Sequence, residues 1–257
     1  MRFPGPVLAA RFLRRYQRFF AEVSLADGTV LTAHCANPGS MLGVIPAGAP
    51  AYVSEAAGER KLRWSLEAVR VGRTWVGVHP VRANRVVEEG LETGAIRPLR
   101  GYPRRVREPV IGPGTRADFL LEDDDRPPCW VEVKNVTLAH GRLALFPDSV
   151  TERGRRHLQA LAGRVRAGER GVLLLVASRG DVTRVGPADG IDPAYGRALR
   201  DALRAGVEVF GYRMRVSRRG LVLDRRIPVD PGPHPVDRSA WTDPEEALGV
   251  APGEHTT

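Results

Sequence analysis

The 257-residue chain is 42% apolar and carries a formal net charge of +9, so it has material for one large packed domain or two ordinary ones. A basic excess of this size favours a polyanionic partner held by salt-sensitive phosphate contacts, although the arginine-heavy, Ala-, Gly-, Val- and Pro-rich composition equally fits a GC-rich coding bias. No apolar run reaches the length of a membrane span, Arg11, Arg14 and Arg15 interrupt the N-terminal apolar run where a signal peptide would need continuity, and the widely separated Cys35 and Cys129 read as reduced thiols; a cytoplasmic protein without membrane contact is expected.

The first third reads as short strands. Residues 19–25 (FFAEVSL) run into Asp27-Gly28, a strong hairpin signal, followed by residues 29–34. A Gly- and Pro-rich segment, 37–50, precedes a strand at 51–54 and a hairpin formed by 62–71 and 74–79. About five strands in this space predict a small closed barrel of the OB type, with residues 1–82 as its domain. Such barrels bind single strands through aromatic and basic side chains. Phe19, Tyr52, Trp64 and Trp75 are available for that, with Arg18, Arg60, Lys61 and Arg63; the plainer reading is that the aromatics fill the barrel. Asn37-Pro38-Gly39-Ser40 reads either as a simple turn or as a loop approaching a phosphate or a neighbouring domain.

Residues 83–228 read as a second, α/β domain with a mixed sheet. A helix is predicted over 84–96, a strand over 106–111, and a hairpin from the apolar runs 117–121 and 130–133 around an acidic, Pro-containing turn. Short strands at 136–139 and 143–146 follow, then a basic amphipathic helix over 151–165, a buried strand over 171–178, a helix over 192–205 with Pro193 in its first turn, and a strand over 207–213. Residues 229–257, Pro-rich and acidic, read as a largely disordered tail.

Charge inside the apolar hairpin is the unusual feature. Asp118 lies in its first run, and Glu132 and Lys134 lie in the second. Glu132 and Lys134 share one face of their strand, opposite Val131 and Val133. Pairing of the two strands lets Asp118 face Glu132, and a divalent cation relieves the repulsion between two carboxylates. A lysine two residues on then reaches a phosphate or an attacking water. The alternative is a solvent-facing strand with a surface Glu–Lys pair. An Asp, a loop and Glu-x-Lys resembles the PD-(D/E)xK nuclease site, where acids hold Mg²⁺ or Mn²⁺.

Longer segments carry a second resemblance. RFFAEVSLADG, AHCANPGSM, WVGVHPVRANRVVEEGL, RADFLL, VEVKNVTL, FPDSVTERGRRHLQAL and IDPAYGRAL closely resemble the sugar fermentation stimulation protein A (SfsA) family over about residues 10–228. The resemblance implies an N-terminal OB domain, a C-terminal PD-(D/E)xK restriction-endonuclease-like domain, and DNA binding, with a proposed link to regulation of sugar-utilisation genes. It carries the catalytic set onto Asp118, Glu132 and Lys134, adds Glu89 as a further metal-ligating acid, and brings Glu152, Arg153 and His157 near as auxiliary residues. Arg116, Arg155 and Arg156 would join the barrel's basic residues on nucleic acid. A metal-dependent nuclease acting on single- or double-stranded DNA is therefore expected; a non-catalytic DNA-binding regulator, or an enzyme acting on RNA, is the alternative.

Overall fold

The computed structural model describes residues 1–56 and 61–241. The barrel is built from β1 (Val7–Tyr16), β2 (Phe20–Ser24), β3 (Val30–His34), β4 (Pro50–Glu55), β5 (Trp64–Val71) and β6 (Thr74–Gly77), in the order β3-β2-β1-β4-β5-β6. A short parallel pairing of β3 with β5, Ala33 with Trp64 and His34 with Ser65, closes it. Alternation buries Ala21 and Val23 of β2, and Phe12, Ala33, Val53, Leu66 and Val69 complete an interior made mostly of small aliphatic side chains. Of the four aromatics only Trp64 packs against this interior. Phe19 is exposed, Tyr52 and Trp75 stack on each other at 3.9 Å, and Trp64 lies half-buried beneath Arg63.

The second domain begins with α1 (Pro80–Glu92), four residues earlier than predicted, because Pro80 occupies the first turn of this helix. Its remaining elements are β7 (Arg104–Arg107), β8 (Val110–Gly112), β9 (Thr115–Arg116), β10 (Phe119–Glu122), β11 (Cys129–Val136), β12 (Ala139–His140), β13 (Leu143–Phe146), α2 (Glu152–Arg166), β14 (Arg170–Ala177), β15 (Arg184–Pro187), α3 (Pro193–Arg204), β16 (Glu208–Ser217) and β17 (Gly220–Ile227). The main sheet runs β17-β16-β14-β11-β10-β7, with β11, β14 and β16 parallel at its centre. Strands covered on both faces read as continuous apolar runs, as β14 does. Val133, Val172, Leu174 and Val176 pack with Val86 and Val87 of α1, while Leu173 and Leu175 pack with Leu158 and Leu161 of α2 and Leu199 of α3. No helix among the described residues is long and apolar enough to cross a membrane.

Hydrogen bonds between the two domains include those made by Gly77, Arg82 and Asp148. Gly77 N donates to Ser178 O at 2.8 Å. Arg82 of α1 forks onto the buried Glu67 of β5, with its closest contact at 2.7 Å. Asp148, just after β13, accepts from Met41 N at 2.9 Å, and its carbonyl accepts from Ser40 Oγ at 2.6 Å.

The expected tail is corrected over residues 229–241. Asp230 N bonds Val185 O at 2.8 Å, Gly190 N bonds His234 O at 3.2 Å, and Trp241 packs with Leu42, Leu138 and Leu145 while its indole donates to Ala139 O at 2.8 Å. Gly186 and Gly190 allow this strap to lie against them, since a Cβ at either would meet its backbone at 2.4 and 2.1 Å. The rest of the expected tail lies outside the described residues.

Candidate functional site

The hairpin register settles where the charges meet. Phe119 pairs with Val131 across β10 and β11, which carries Asp118, one residue before β10, opposite Glu132. Along β11 the side chains alternate: Val131 and Val133 enter the α1-side core, while Glu132 and Lys134 turn to the other face, where α2 brings His157. The solvent-facing alternative fails for Glu132, which is 3% exposed.

Glu132 is divided between two environments. Its Oε1 accepts from Lys134 Nζ at 2.5 Å and lies 2.5 Å from His157 Nδ1. Arg153 Nε donates to His157 Nε2 at 3.3 Å, which leaves Nδ1 as the nitrogen that donates to the carboxylate. The other oxygen, Oε2, is buried without any hydrogen-bond partner among the described residues. Burial works against charge on Glu132, but the hydrogen bond from His157 and the charge of Lys134 outweigh it and hold the carboxyl below its ordinary value. Asp118 goes the other way. Burial first, then the neighbouring Glu132 charge, pushes its carboxyl up to about 6, against the counter-effect of hydrogen bonds from Val133 N at 2.7 Å and Asn84 Nδ2 at 2.8 Å. Burial and mutual repulsion thus work against both carboxylates being charged at once.

A cavity of about 370 Å³ opens beside them. Lys134, Asn135 and Arg153 line one side, and the barrel loop Asn37-Pro38-Gly39 lines the other. Arg15 builds that loop's shape: its guanidinium donates to the carbonyls of Asn37 at 2.7 Å and Gly39 at 2.8 Å. The clasp at Asp148 holds the loop against the second domain; burial pushes the Asp148 carboxyl up, while the Met41 amide opposes it. Arg116, Arg153, Arg156 and His157 line a second, basic hollow that shares Arg153 with the first.

Not every predicted site residue arrives. Glu89 is corrected: it points away, with Oε2 2.5 Å from the N-terminal amine and its side chain half-exposed. Its neighbour Glu88 is the buried acid of α1, and it is taken by Arg107 of β7. Among the described residues no cluster of three His, Cys, Asp or Glu is arranged to hold a metal ion, so the site offers two carboxylates, not three. Glu152 is exposed at the start of α2. Arg155 is diverted to Asp192, 3.4 Å away at the N-cap of α3. Arg18, Lys61, Arg116 and Arg156 are exposed, Arg63 pairs with Glu55 at 2.7 Å, and Arg60 lies outside the described residues.

Sequence reasoning missed Asn84, Arg15, Asp148 and Tyr195. Asn in a helix is a weak signal, because its side chain favours hydrogen bonds that compete with helix; here it bonds Asp118. Tyr195 gave none. Its hydroxyl is buried without a hydrogen-bond partner among the described residues, and burial, with the charges of Glu132 and Asp192, pushes the phenol up.

The chain's likenesses agree with this architecture. The family model for the SfsA N-terminal OB domain matches residues 13–78, and that for the sugar fermentation stimulation protein RE domain matches residues 81–220. A sugar fermentation stimulation protein homolog from Geobacter sulfurreducens is 48% identical over 227 residues, covering 88% of this chain and 97% of that protein. One from Maricaulis maris is 46% identical over 232 residues, covering 90% and 99%. Among solved structures, Pyrococcus furiosus SfsA in complex with Ca²⁺ superimposes with a TM-score of 0.82 at 25% identity, covering 90% of this chain and 98% of that one.

Proposed function

The chain belongs to the sugar fermentation stimulation protein family, and from that premise and the site's geometry we propose that it is a divalent-metal-dependent phosphodiesterase acting on nucleic acid. The observation that carries the reading is the buried Oε2 of Glu132, which has no hydrogen-bond partner among the described residues, on the strand position opposite Asp118. Two hard oxygen donors short of positive charge fit Mg²⁺ or Mn²⁺, ions held by one or two carboxylates with substrate phosphate completing the shell. The relative from P. furiosus was solved with Ca²⁺, which supports a divalent ion in this family.

Asp118 and Glu132 would hold the cation, which when bound supplies a Lewis acid that draws charge from a phosphodiester. The chain's own residues do the rest. Lys134 holds an ammonium at the cavity wall, where it offsets charge building on a phosphate. His157 and Lys134 fix Glu132 by one oxygen and leave the second free. Asn84 and Val133 N orient Asp118. In the hydrolysis, a water oxygen bonds to phosphorus, the P–O3′ bond breaks, and the departing oxygen takes a proton, leaving a 5′-phosphate and a 3′-hydroxyl. Arg116, Arg153 and Arg156 would track the backbone without reading bases. Two buried free thiols are consistent with a cytoplasmic setting.

The test is cleavage of DNA and RNA, single- and double-stranded, with Mg²⁺ or Mn²⁺, by the wild type, Lys134→Ala and Asp118→Ala. Metal-dependent cleavage that falls about 10²–10³-fold in Lys134→Ala and vanishes in Asp118→Ala is expected. Both Asp118 oxygens already accept a hydrogen bond, which favours one second reading: a nucleic-acid-binding regulator that keeps the site for folding. Binding without cleavage in all three proteins would establish that reading and overturn the first.

A further inference from the structure

The barrel carries an aromatic and basic ledge that its own fold does not use. Phe19 is 45% exposed and lies against His34, with ring centroids 6.4 Å apart and planes 21° from parallel. Beside it Tyr16 and Phe20 stack at 5.3 Å, and Arg14 lies over Tyr16 at 5.3 Å. A large flat apolar side chain left in solvent, with arginines around it, is poor packing and a good platform for an aromatic ligand.

The turn that presents Phe19 is held in an unusual shape. Gln17 and Arg18 both have left-handed φ, 45° and 60°, a region L side chains rarely adopt. Backbone outliers of this kind persist where surrounding contacts enforce them, and they gather at binding sites. Here the enforcer is Arg15, whose Nε donates to Arg18 O at 2.7 Å. The same guanidinium bonds Asn37 O and Gly39 O, in the loop that walls the cavity beside Lys134. One side chain therefore fixes the exposed ring and the cleft wall to each other. Cys35 N, bonding Phe19 O at 2.8 Å, ties the turn to the strand leading into that loop. Arg18 itself is exposed, and no ion pair neutralises it among the described residues; Glu22, the nearest acid on β2, is already bridged by Arg14 at 2.7 Å.

We propose that the nucleic acid in this cleft is single-stranded, and that an unpaired base flanking the phosphate at Lys134 stacks on Phe19 beside His34 while Arg18 takes the adjoining phosphate. This rests on the phosphodiesterase reading for the placement of the phosphate. Duplex bases spend both faces on their neighbours and offer none to a side chain; an unpaired base offers one, and stacking tolerates any base because every base has a π-face. The ledge thus selects strandedness rather than sequence.

The test is fluorescence anisotropy with the full chain in chelator, so that cleavage does not interfere, using a labelled deoxyoligonucleotide alone and annealed to its complement. Phe19→Ala should weaken single-strand binding by about 5- to 150-fold, the range that one lost base stack gives, and leave duplex binding unchanged. Phe19→Trp should restore it. Removing one base from the oligonucleotide, position by position, should find a site where the loss weakens the wild type but not Phe19→Ala. Since Phe19 is exposed, an unchanged melting temperature is expected of both variants. Equal affinity of wild type and Phe19→Ala for the single strand, or an equal loss on duplex, overturns the proposal. Phe19-dependent binding by a wild type that never cleaves would sink the phosphodiesterase reading alone; cleavage with Phe19-independent binding would sink this one alone.

Discussion

Replacing Arg82 by Met tests how the two domains are held. Glu67 has no exposed side-chain surface and Arg82 about a tenth of its own. Arg82 Nη2 meets Glu67 Oε1 at 2.7 Å, its Nε meets Oε2 at 3.1 Å, and Ser54 Oγ donates to Oε1 at 2.7 Å. Arg82→Met keeps most of the buried stem but removes the charge, so Glu67 remains in the interior with one neutral donor. Removing one partner of such a pair costs about 3–5 kcal/mol, because the surviving charge is uncompensated. For a chain of this size each kcal/mol moves the melting temperature by about 2–4 °C, so thermal unfolding followed by circular dichroism should shift down by about 6–20 °C. Glu67→Gln added to Arg82→Met removes the stranded charge and should recover the larger part. A single variant that melts with the wild type, or a double variant no better than the single, would refute the assignment. The link matters for the site because β5 and α1 belong to different domains, and the cavity has one wall from each.

Three other outcomes follow. Asn84→Ala frees one oxygen of Asp118 and should lower divalent-cation affinity about 10- to 100-fold, as loss of a ligand-orienting partner does, read by titration calorimetry. Ca²⁺ at about a hundredfold excess over its dissociation constant should stabilise the wild type by about 2.7 kcal/mol; the rise in melting temperature should be absent in Asp118→Asn and in Glu132→Gln, and a rise retained in both would remove the ion from this site. Asp224 is desolvated, which opposes its charge, but Arg213, Arg215 and Arg225 surround it and hold its carboxyl below the ordinary 3.8. A depressed acid adds stability above its unfolded pKa and loses it as pH falls through the folded one, so Asp224→Asn should melt below the wild type at neutral pH and converge with it in acid below that value.

Much of the architecture could be read from the chain because single side chains declare it. Val, Ala and Leu alternate through residues 20–34 around Asp27-Gly28, and only a two-faced hairpin reconciles that pattern. The first strand was hidden because Arg11, Arg14 and Arg15 look like a solvated run, yet β1 turns Ala10 and Phe12 into the barrel, and Arg14 lies outside, bridged to Glu22. The last strand was hidden for a related reason. Asp224, Arg225 and Arg226 interrupt the apolar pattern of β17, and charge of this kind is what keeps an edge strand from pairing with another chain. The strap at 229–241 carries no period at all; its place is decided by two glycines some forty residues upstream, a correspondence no local pattern contains.

The site divides along the same line. Asp118 opposite Glu132 follows from alternation and a hairpin, both local, so it was legible. Which helix acid joins them was not. Glu88 and Glu89 are consecutive, so they point about 100° apart around α1, and one small rotation of the helix would exchange their roles. The rotation is fixed by Ala83, Val86 and Val87 entering the sheet. That burial sends Glu88 toward Arg107, turns Glu89 out to the N-terminal amine, and aims Asn84, one turn earlier than Glu88, at Asp118. The helix therefore contributes a neutral amide where a third carboxylate was expected. The consequence is chemical: a cation here would see two negative charges instead of three, with Lys134 and His157 already sharing one oxygen of Glu132. A site so constituted would hold a cation loosely when alone and more firmly when a phosphate supplied the missing negative charge, so cation and substrate affinities would rise together.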